Sequence, residues 1–246
     1  MEQIDLTRAL TFGRLASEYA RWRPSYPAEA VDWLVPHGAT RVADVGAGTG
    51  QLTARLLERG LAVDAVEPDE AMLAELRRAC PTASAHHAGA DALPLPDASV
   101  DAVLVATAWH WFPFEQAVAE VRRVLRPGGW LGLVWNLVTP RERWEYELAG
   151  LDPDRKGVDD QDDPTVPFLD PTETARFPWA WEVTPARFRG YLGTNSAVMR
   201  LSDAEREQRL GAAEDRVARV CADTGRPTAA LHHAALCYRW RPTPLG

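Results

Sequence analysis

The sequence predicts an α/β fold built on a mostly parallel sheet. Two observations predict it. Residues 40–136 alternate short strand-like runs with helical patterns, the order of βαβ units. One of those runs, Val100–Ala106, is apolar enough to be a central strand covered on both faces.

The first strand is read at Arg41–Val45 and ends in a glycine turn. A helix follows over Gln51–Arg59, with Leu52, Leu56 and Leu57 on one face and Gly60 as its stop. Leu61–Glu67 is the second strand. Asp69 is placed as the N-cap of a helix running to about Ala79, with Met72, Leu73 and Leu76 turned inward. A weak third strand lies near Ser84–Ala88, and Val100–Ala106 is the fourth. Pro113 suits the first turn of a helix through Leu125, whose apolar stripe is Phe114, Ala117, Val121, Val124 and Leu125. Pro127-Gly128-Gly129 breaks that helix, and Trp130–Asn136 is the fifth strand.

Beyond residue 136 the pattern is less regular. Arg141–Ala149 reads as a short helix. Residues 151–171 hold seven Asp and four Pro and read as a mobile, solvated acidic loop. Ser202 and Glu205 form a capping box opening a helix to about Ala222. The tail, Thr228–Arg241, reads as a terminal strand or hairpin. The division is therefore 1–39, an N-terminal segment; 40–136, the α/β core; and 137–246, cap elements followed by a helix and the final strands.

Composition limits the function. The 246 residues include 35 acidic and 27 basic side chains, for a net charge of −8. Such a chain, lacking any basic run, repels phosphates, so nucleic acid is not an expected partner. No stretch approaches the ~20 apolar residues of a membrane span, so no membrane partner is expected either. Three widely spaced cysteines, Cys80, Cys221 and Cys237, fit neither a disulfide framework nor zinc spacing, and suit a reducing cytoplasm. The histidine pairs His86/His87 and His232/His233 read as strand residues, and no metal is expected.

The decisive segment is Val42-Ala-Asp-Val-Gly-Ala-Gly-Thr-Gly50. Gly46, Gly48 and Gly50 permit left-handed backbone and let a ligand approach bare peptide, at the start of a helix whose first amides lack intrahelical partners. The dinucleotide pattern G-x-G-x-x-G fails because Gln51 occupies its last position. Asp44, just before the turn, would repel a pyrophosphate and attract a cation. Glu67 ends the second strand, where a carboxylate can accept bonds from two ribose hydroxyls.

Asp-x-Gly-x-Gly-x-Gly resembles motif I of the class I S-adenosylmethionine (SAM) methyltransferases, and residues 8–136 as a whole resemble their small-molecule type, near the trans-aconitate methyltransferase-like group. The resemblance implies a Rossmann-like, doubly wound, seven-stranded sheet, with SAM as cofactor and S-adenosylhomocysteine as product. It implies cofactor contacts from Asp44, Gly46, Ala47, Gly48, Gly50, Glu67 and Pro68. Asp91 and the backbone of Ala92 would read the adenine, and Met72 would either pack on that ring or simply fill the core. Tyr19-Ala-Arg-Trp-Arg-Pro-Ser-Tyr-Pro27 resembles the group's entry segment, in which Tyr19 and Arg23 would approach the methionine end and Arg23 would pair with its carboxylate. Ala106-Thr-Ala-Trp-His-Trp-Phe112 resembles the region where methyl and acceptor meet. Thr107 would then contact cofactor, and Trp109, Trp111 and Trp135 would wall an apolar acceptor pocket. His110 is either a general base or a residue that merely contacts cofactor and backbone. The expected partner is a small-molecule acceptor of a methyl group, and the expected assembly a monomer or homodimer. The competing reading is a protein of this fold that binds in the pocket or catalyses another reaction without methyl transfer.

Overall fold

The computed structural model describes residues 16–149 and 173–242. The acidic loop read at 151–171 lies outside them. The described residues open with two short helices, α1 (Ala16–Trp22) and α2 (Ala28–Leu34). Then β1 (Arg41–Val45), α3 (Gln51–Leu57), β2 (Ala62–Glu67), α4 (Glu70–Ala79), β3 (Ser84–His87) and β4 (Val100–Ala106) follow in strict alternation up to β3. A 3-10 turn at Trp109–Trp111 leads into α5 (Phe114–Val124) and β5 (Leu125–Val138). The remaining elements of the described residues are α6 (Arg143–Ala149), β6 (Glu173–Val183), α7 (Pro185–Gly193), α8 (Ser196–Met199), α9 (Asp203–Thr224) and β7 (Ala229–Trp240).

The described strands form one seven-stranded sheet in the order β3-β2-β1-β4-β5-β7-β6. The first five are parallel, while β7 runs antiparallel to both β5 and β6. This is the Rossmann-like, mostly parallel architecture expected. The strand order reverses between β1 and β4, and that switch point opens a crevice at the C-terminal strand ends.

Side-chain alternation divides the core between two faces. Ala43, Val103, Val105, Leu131 and Leu133 pack under α5, through Ala117, Val121 and Val124. Val42, Ala102, Leu104 and Val134 pack against Val31 and Leu34 of α2 and Leu52 and Leu56 of α3. A further cluster joins α7 and α9 to β6 and β7 through Phe188, Val217, Trp181 and Leu231. At Gly190 an added Cβ would fall 2.4 Å from the Trp22 ring, so that glycine lets α7 lie directly on the end of α1.

Several boundaries differ from expectation. Strand β5 begins at Leu125, so Pro127-Gly128-Gly129 lies within it, beside a register shift between the partners Val100 and Ala102. Such a bulge tolerates the proline, whose missing N–H costs no ladder bond there. The tail is one long strand, not a hairpin folded on itself. Its second neighbour is β6, an edge strand carrying Pro178 opposite Ala234. A proline inside a strand-like run argues against strand, and here only the edge position accommodates it. The capping box stands as read: the Ser202 hydroxyl accepts from the Glu205 amide, and the Glu205 carboxylate accepts from the Ser202 amide.

Candidate active site

The turn after β1 is held from beneath. The amides of Gly46 and Ala47 both donate to the Val66 carbonyl, at 2.8 and 3.1 Å. The Gly48 amide donates to Glu67 Oε2 at 2.8 Å. These three amides lock the turn to β2 and are not themselves free to donate to a ligand. What the glycines provide is conformation and room. Gly46 and Gly48 have φ of 68° and 56°. A Cβ at Gly46 would collide with Ala108 at 2.7 Å, whereas one at Gly48 would meet only Met72 Sδ, at 3.7 Å. Gly48 thus faces open space bounded by Met72.

Glu67 is 7% exposed. Its second oxygen accepts from the Asp69 amide at 3.0 Å. Burial raises its pKa, with the two backbone donors opposing the shift. Each oxygen keeps a lone pair for a further donor. Asp69 caps α4 by accepting from the Ala71 and Met72 amides, which fixes Met72 beside the turn. The Pro68 carbonyl accepts from His87 Nε2 at 2.8 Å.

Asp44 is fully buried. Thr53 donates to its Oδ2 at 2.6 Å, but Oδ1 has no partner among the described residues. Burial pushes its pKa up to about 7, the Thr53 hydroxyl opposing the rise and the charge of Glu67 adding to it. The Thr49 hydroxyl, also buried, is likewise unpartnered.

Across the crevice, Arg23 donates through Nε to Thr194 Oγ1 at 2.9 Å and through Nη2 to the Thr194 carbonyl at 2.8 Å. Its guanidinium lies over the rings of Tyr19 and Tyr191, 4.8 and 5.3 Å from their centroids. No carboxylate of the described residues pairs with it. Thr107 ends β4 in left-handed backbone, φ 57°, with its amide bonded to the Val134 carbonyl and its hydroxyl 3.2 Å from the Tyr26 hydroxyl. Left-handed backbone at a threonine is strained, and this strain sits at the crevice.

The structure gathers Tyr19, Arg23, Gly46, Ala47, Gly48 and Thr107 around one crevice. Glu67 and Met72 adjoin it through Gly48. Asp91 and Ala92 are exposed on the loop after β3 and are not among its lining residues; Gly50 lines a neighbouring groove beside α1. The tryptophan wall is corrected. Trp109 and Trp135 are buried in the core on the α5 side of the sheet, edge-on to Phe112 and Tyr238 respectively. Trp111 is half-buried, with the exposed His110 ring 4.6 Å from its own. His110 is not among the crevice residues either. Neighbouring protein displaces water from part of its ring and lowers its pKa, although the residue as a whole is exposed.

The sequence reading missed Asn136, Tyr191 and His233, all of which line the crevice. Asn136 lies near the C-terminal end of the fifth strand, where ligand contacts concentrate in this kind of sheet, and that position was the available signal.

Residues 43–133 match the family model described as a methyltransferase domain. The chain is 46% identical over 211 residues to an uncharacterized methyltransferase of Mycobacterium tuberculosis, covering 82% of this chain and 86% of that one. It is 38% identical over 131 residues to the demethylmenaquinone methyltransferase of Thermus thermophilus, covering 50% of this chain and 56% of that protein. A solved structure assigned as a type II methyltransferase of Anaeromyxobacter dehalogenans superposes with a TM-score of 0.65 at 30% identity, covering 89% of this chain and 97% of that one. The fold, the glycine turn and these likenesses agree, and the chain belongs to the class I SAM-dependent methyltransferase family.

Proposed function

We propose that the crevice binds SAM and that the protein methylates a small-molecule acceptor. One observation carries the reading. A buried carboxylate oxygen without a donor, Asp44 Oδ1, lies two residues before Gly46 beneath the crevice wall, and a guanidinium without a carboxylate, Arg23, lines that crevice with Gly46 and Gly48. They suit the ammonium and carboxylate of an amino-acid group. The room beside Gly48, which a Cβ would begin to fill, suits the nucleoside.

On this reading Asp44 holds the ammonium and Arg23 the carboxylate. Glu67 accepts the ribose hydroxyls on its remaining lone pairs. Met72 packs against the adenine, with Asp91 and Ala92 at its far edge. When bound, SAM supplies an electrophilic methyl group on a cationic sulfur. The chain supplies alignment and exclusion of water, which in favourable cases is worth up to ~7–11 kcal/mol. Thr107, fixed by Val134 and Tyr26, marks the end of β4 where acceptor and cofactor sides meet. The named substrate of the Thermus thermophilus relative, a quinone-type small molecule, supports the acceptor class. No helix of the described residues is long and apolar enough to cross a membrane. The three cysteines are free, which supports a reducing compartment such as the cytoplasm.

The test is incubation with SAM carrying a labelled methyl group and a panel of small acceptors, read by mass. A labelled acceptor one methylene heavier supports the reading. Binding of S-adenosylhomocysteine with no labelled product from any acceptor class would favour a binding role.

A further inference from the structure

Two buried polar atoms among the crevice residues have no hydrogen-bond partner among the described residues. His233, on β7, is 1% exposed, and its Nε2 has no partner among the described residues. Asn136, two residues before the end of β5, has an equally unpartnered Oδ1. Both residues line the crevice together with Thr107 and Tyr191.

Bonding fixes what each atom can do. His233 Nδ1 lies 3.0 Å from the Leu231 carbonyl. A carbonyl only accepts, so Nδ1 carries the hydrogen, and the neutral ring has its lone pair on Nε2. Asn136 Nδ2 donates to the Ser25 carbonyl at 3.2 Å, so Oδ1 is the remaining atom. Both orphans are acceptors. Burial lowers the His233 pKa, the bond to the Leu231 carbonyl and the charge of Glu145 opposing in part, and so favours the neutral ring. The ring is held by Trp179, whose centroid is 5.0 Å away at 31°, and by the edge of Trp181. The indole N–H of Trp179 is also unpartnered, but Trp179 does not line the crevice.

We propose that His233 and Asn136 form the acceptor subsite, and that it takes a neutral nucleophile carrying O–H or N–H hydrogen, a phenol-like hydroxyl or an amine, and refuses a carboxylate. The proposal rests on the methyltransferase reading and narrows its substrate. An O–H satisfies an acceptor that is otherwise left buried and unpaired, which is unfavourable. A carboxylate brings only further lone pairs, and negative charge, against two acceptors. In the transfer, the nucleophile's electron pair bonds the methyl carbon as the carbon–sulfur bond breaks, its pair staying on sulfur. The nucleophile's proton passes to His233 Nε2 and from there to solvent. This gives His233, not His110, contact with the reacting group.

The test uses phenol and benzoate as probes on protein saturated with S-adenosylhomocysteine. Calorimetry of that nucleoside comes first; failure to bind it would overturn the methyltransferase reading itself. With binding established, nitrogen-15 histidine spectra, assigned with H233Q, report Nε2 directly. Phenol is expected to move the Nε2 resonance saturably upfield, and benzoate to leave it in place. H233A should bind phenol about tenfold more weakly, as loss of one hydrogen bond implies. H233Q, whose amide oxygen stands near the Nε2 position, should stay within about threefold, and both variants should keep wild-type affinity for the nucleoside. A benzoate shift equal to that of phenol, no phenol shift, or phenol affinity unchanged in H233A would overturn the proposal. The wild-type spectra decide it alone should H233A fail to fold.

Discussion

The parallel half of the sheet and its antiparallel half treat buried polar groups differently. In the parallel half, the turn amides, Val66, Glu67 and Asp69 bond one another within 24 residues of chain, and the atoms left over, Asp44 Oδ1 and the Thr49 hydroxyl, lie in or beside that same short stretch. In the antiparallel half, Asn136, Tyr191 and His233 come to the crevice from segments more than forty residues apart, and two of them bring unpartnered atoms. The same half also contains the opposite extreme. Glu145 on α6 is fully buried and accepts from the amides of Arg141, Glu142 and His232, besides contacting the His232 ring at 3.0 Å. A buried polar group with all its partners acts as a structural clamp. One lacking partners, on a crevice wall, is a place for a ligand.

Substitutions can break this comparison, the largest effect coming from the cradle. Gly48→Val puts a branched side chain at φ 56° and into the space beside Met72. We expect affinity for S-adenosylhomocysteine to fall more than about 100-fold, and stability to fall by about 1–2 kcal/mol from backbone strain. Calorimetry and thermal melts check both, and retained tight binding would show that the nucleoside lies elsewhere.

The clamp comes next. Glu145→Gln turns an amide N–H₂ toward backbone donors, and an expected loss of about 2–4 kcal/mol would lower Tm by roughly 5–12 °C. S-adenosylhomocysteine affinity should stay within about threefold, because Glu145 serves the other half of the sheet.

Asp44 gives a pH-dependent effect of intermediate size. Its native pKa lies near 7, above the unfolded value of 3.8, so the native state holds the extra proton. Its contribution to stability is greatest below about pH 4 and declines as pH rises to about 7. Asp44→Asn should remove that decline and raise the Tm of the unliganded protein at pH 8 by roughly 3–6 °C, while abolishing the ammonium site. A lower Tm at pH 8 would mean that ionised Asp44 is already compensated.

The smallest effect should be at His110. Exposed and absent from the crevice wall, it should change turnover less than about threefold on substitution by Ala, against a large loss for His233→Ala. A loss at His110 matching that at His233 would return the proton-accepting role to the 3-10 turn.

What could be read from sequence follows the same division. The strand–turn–helix at 41–57, Glu67 at the end of β2, the Asp69 cap and the α5 stripe are local patterns, and the structure has each of them. The direction of a tryptophan is not local. Trp109 and Trp135 reach the α5-side core because of strand alternation and the 3-10 turn, which residue type alone does not reveal. Strand β6 was hidden by Pro178, acceptable only because the strand lies at an edge that the sequence does not announce. His233 was legible as a strand residue. Its unpartnered Nε2 depends on the Leu231 carbonyl and on burial beneath β6 aromatics, both products of tertiary packing.

The central claim is that Asp44 and the turn beside it receive the ammonium end of an adenosyl amino acid. Titration of S-adenosylhomocysteine at pH 6.5, in buffers of different ionisation enthalpy, tests it most directly. The account predicts one site per chain and release of a fraction of a proton, as the incoming ammonium lowers the Asp44 pKa, with that release absent in Asp44→Asn. Absence of binding heat at several temperatures, or binding with the same proton release in Asp44→Asn as in the wild type, would contradict it.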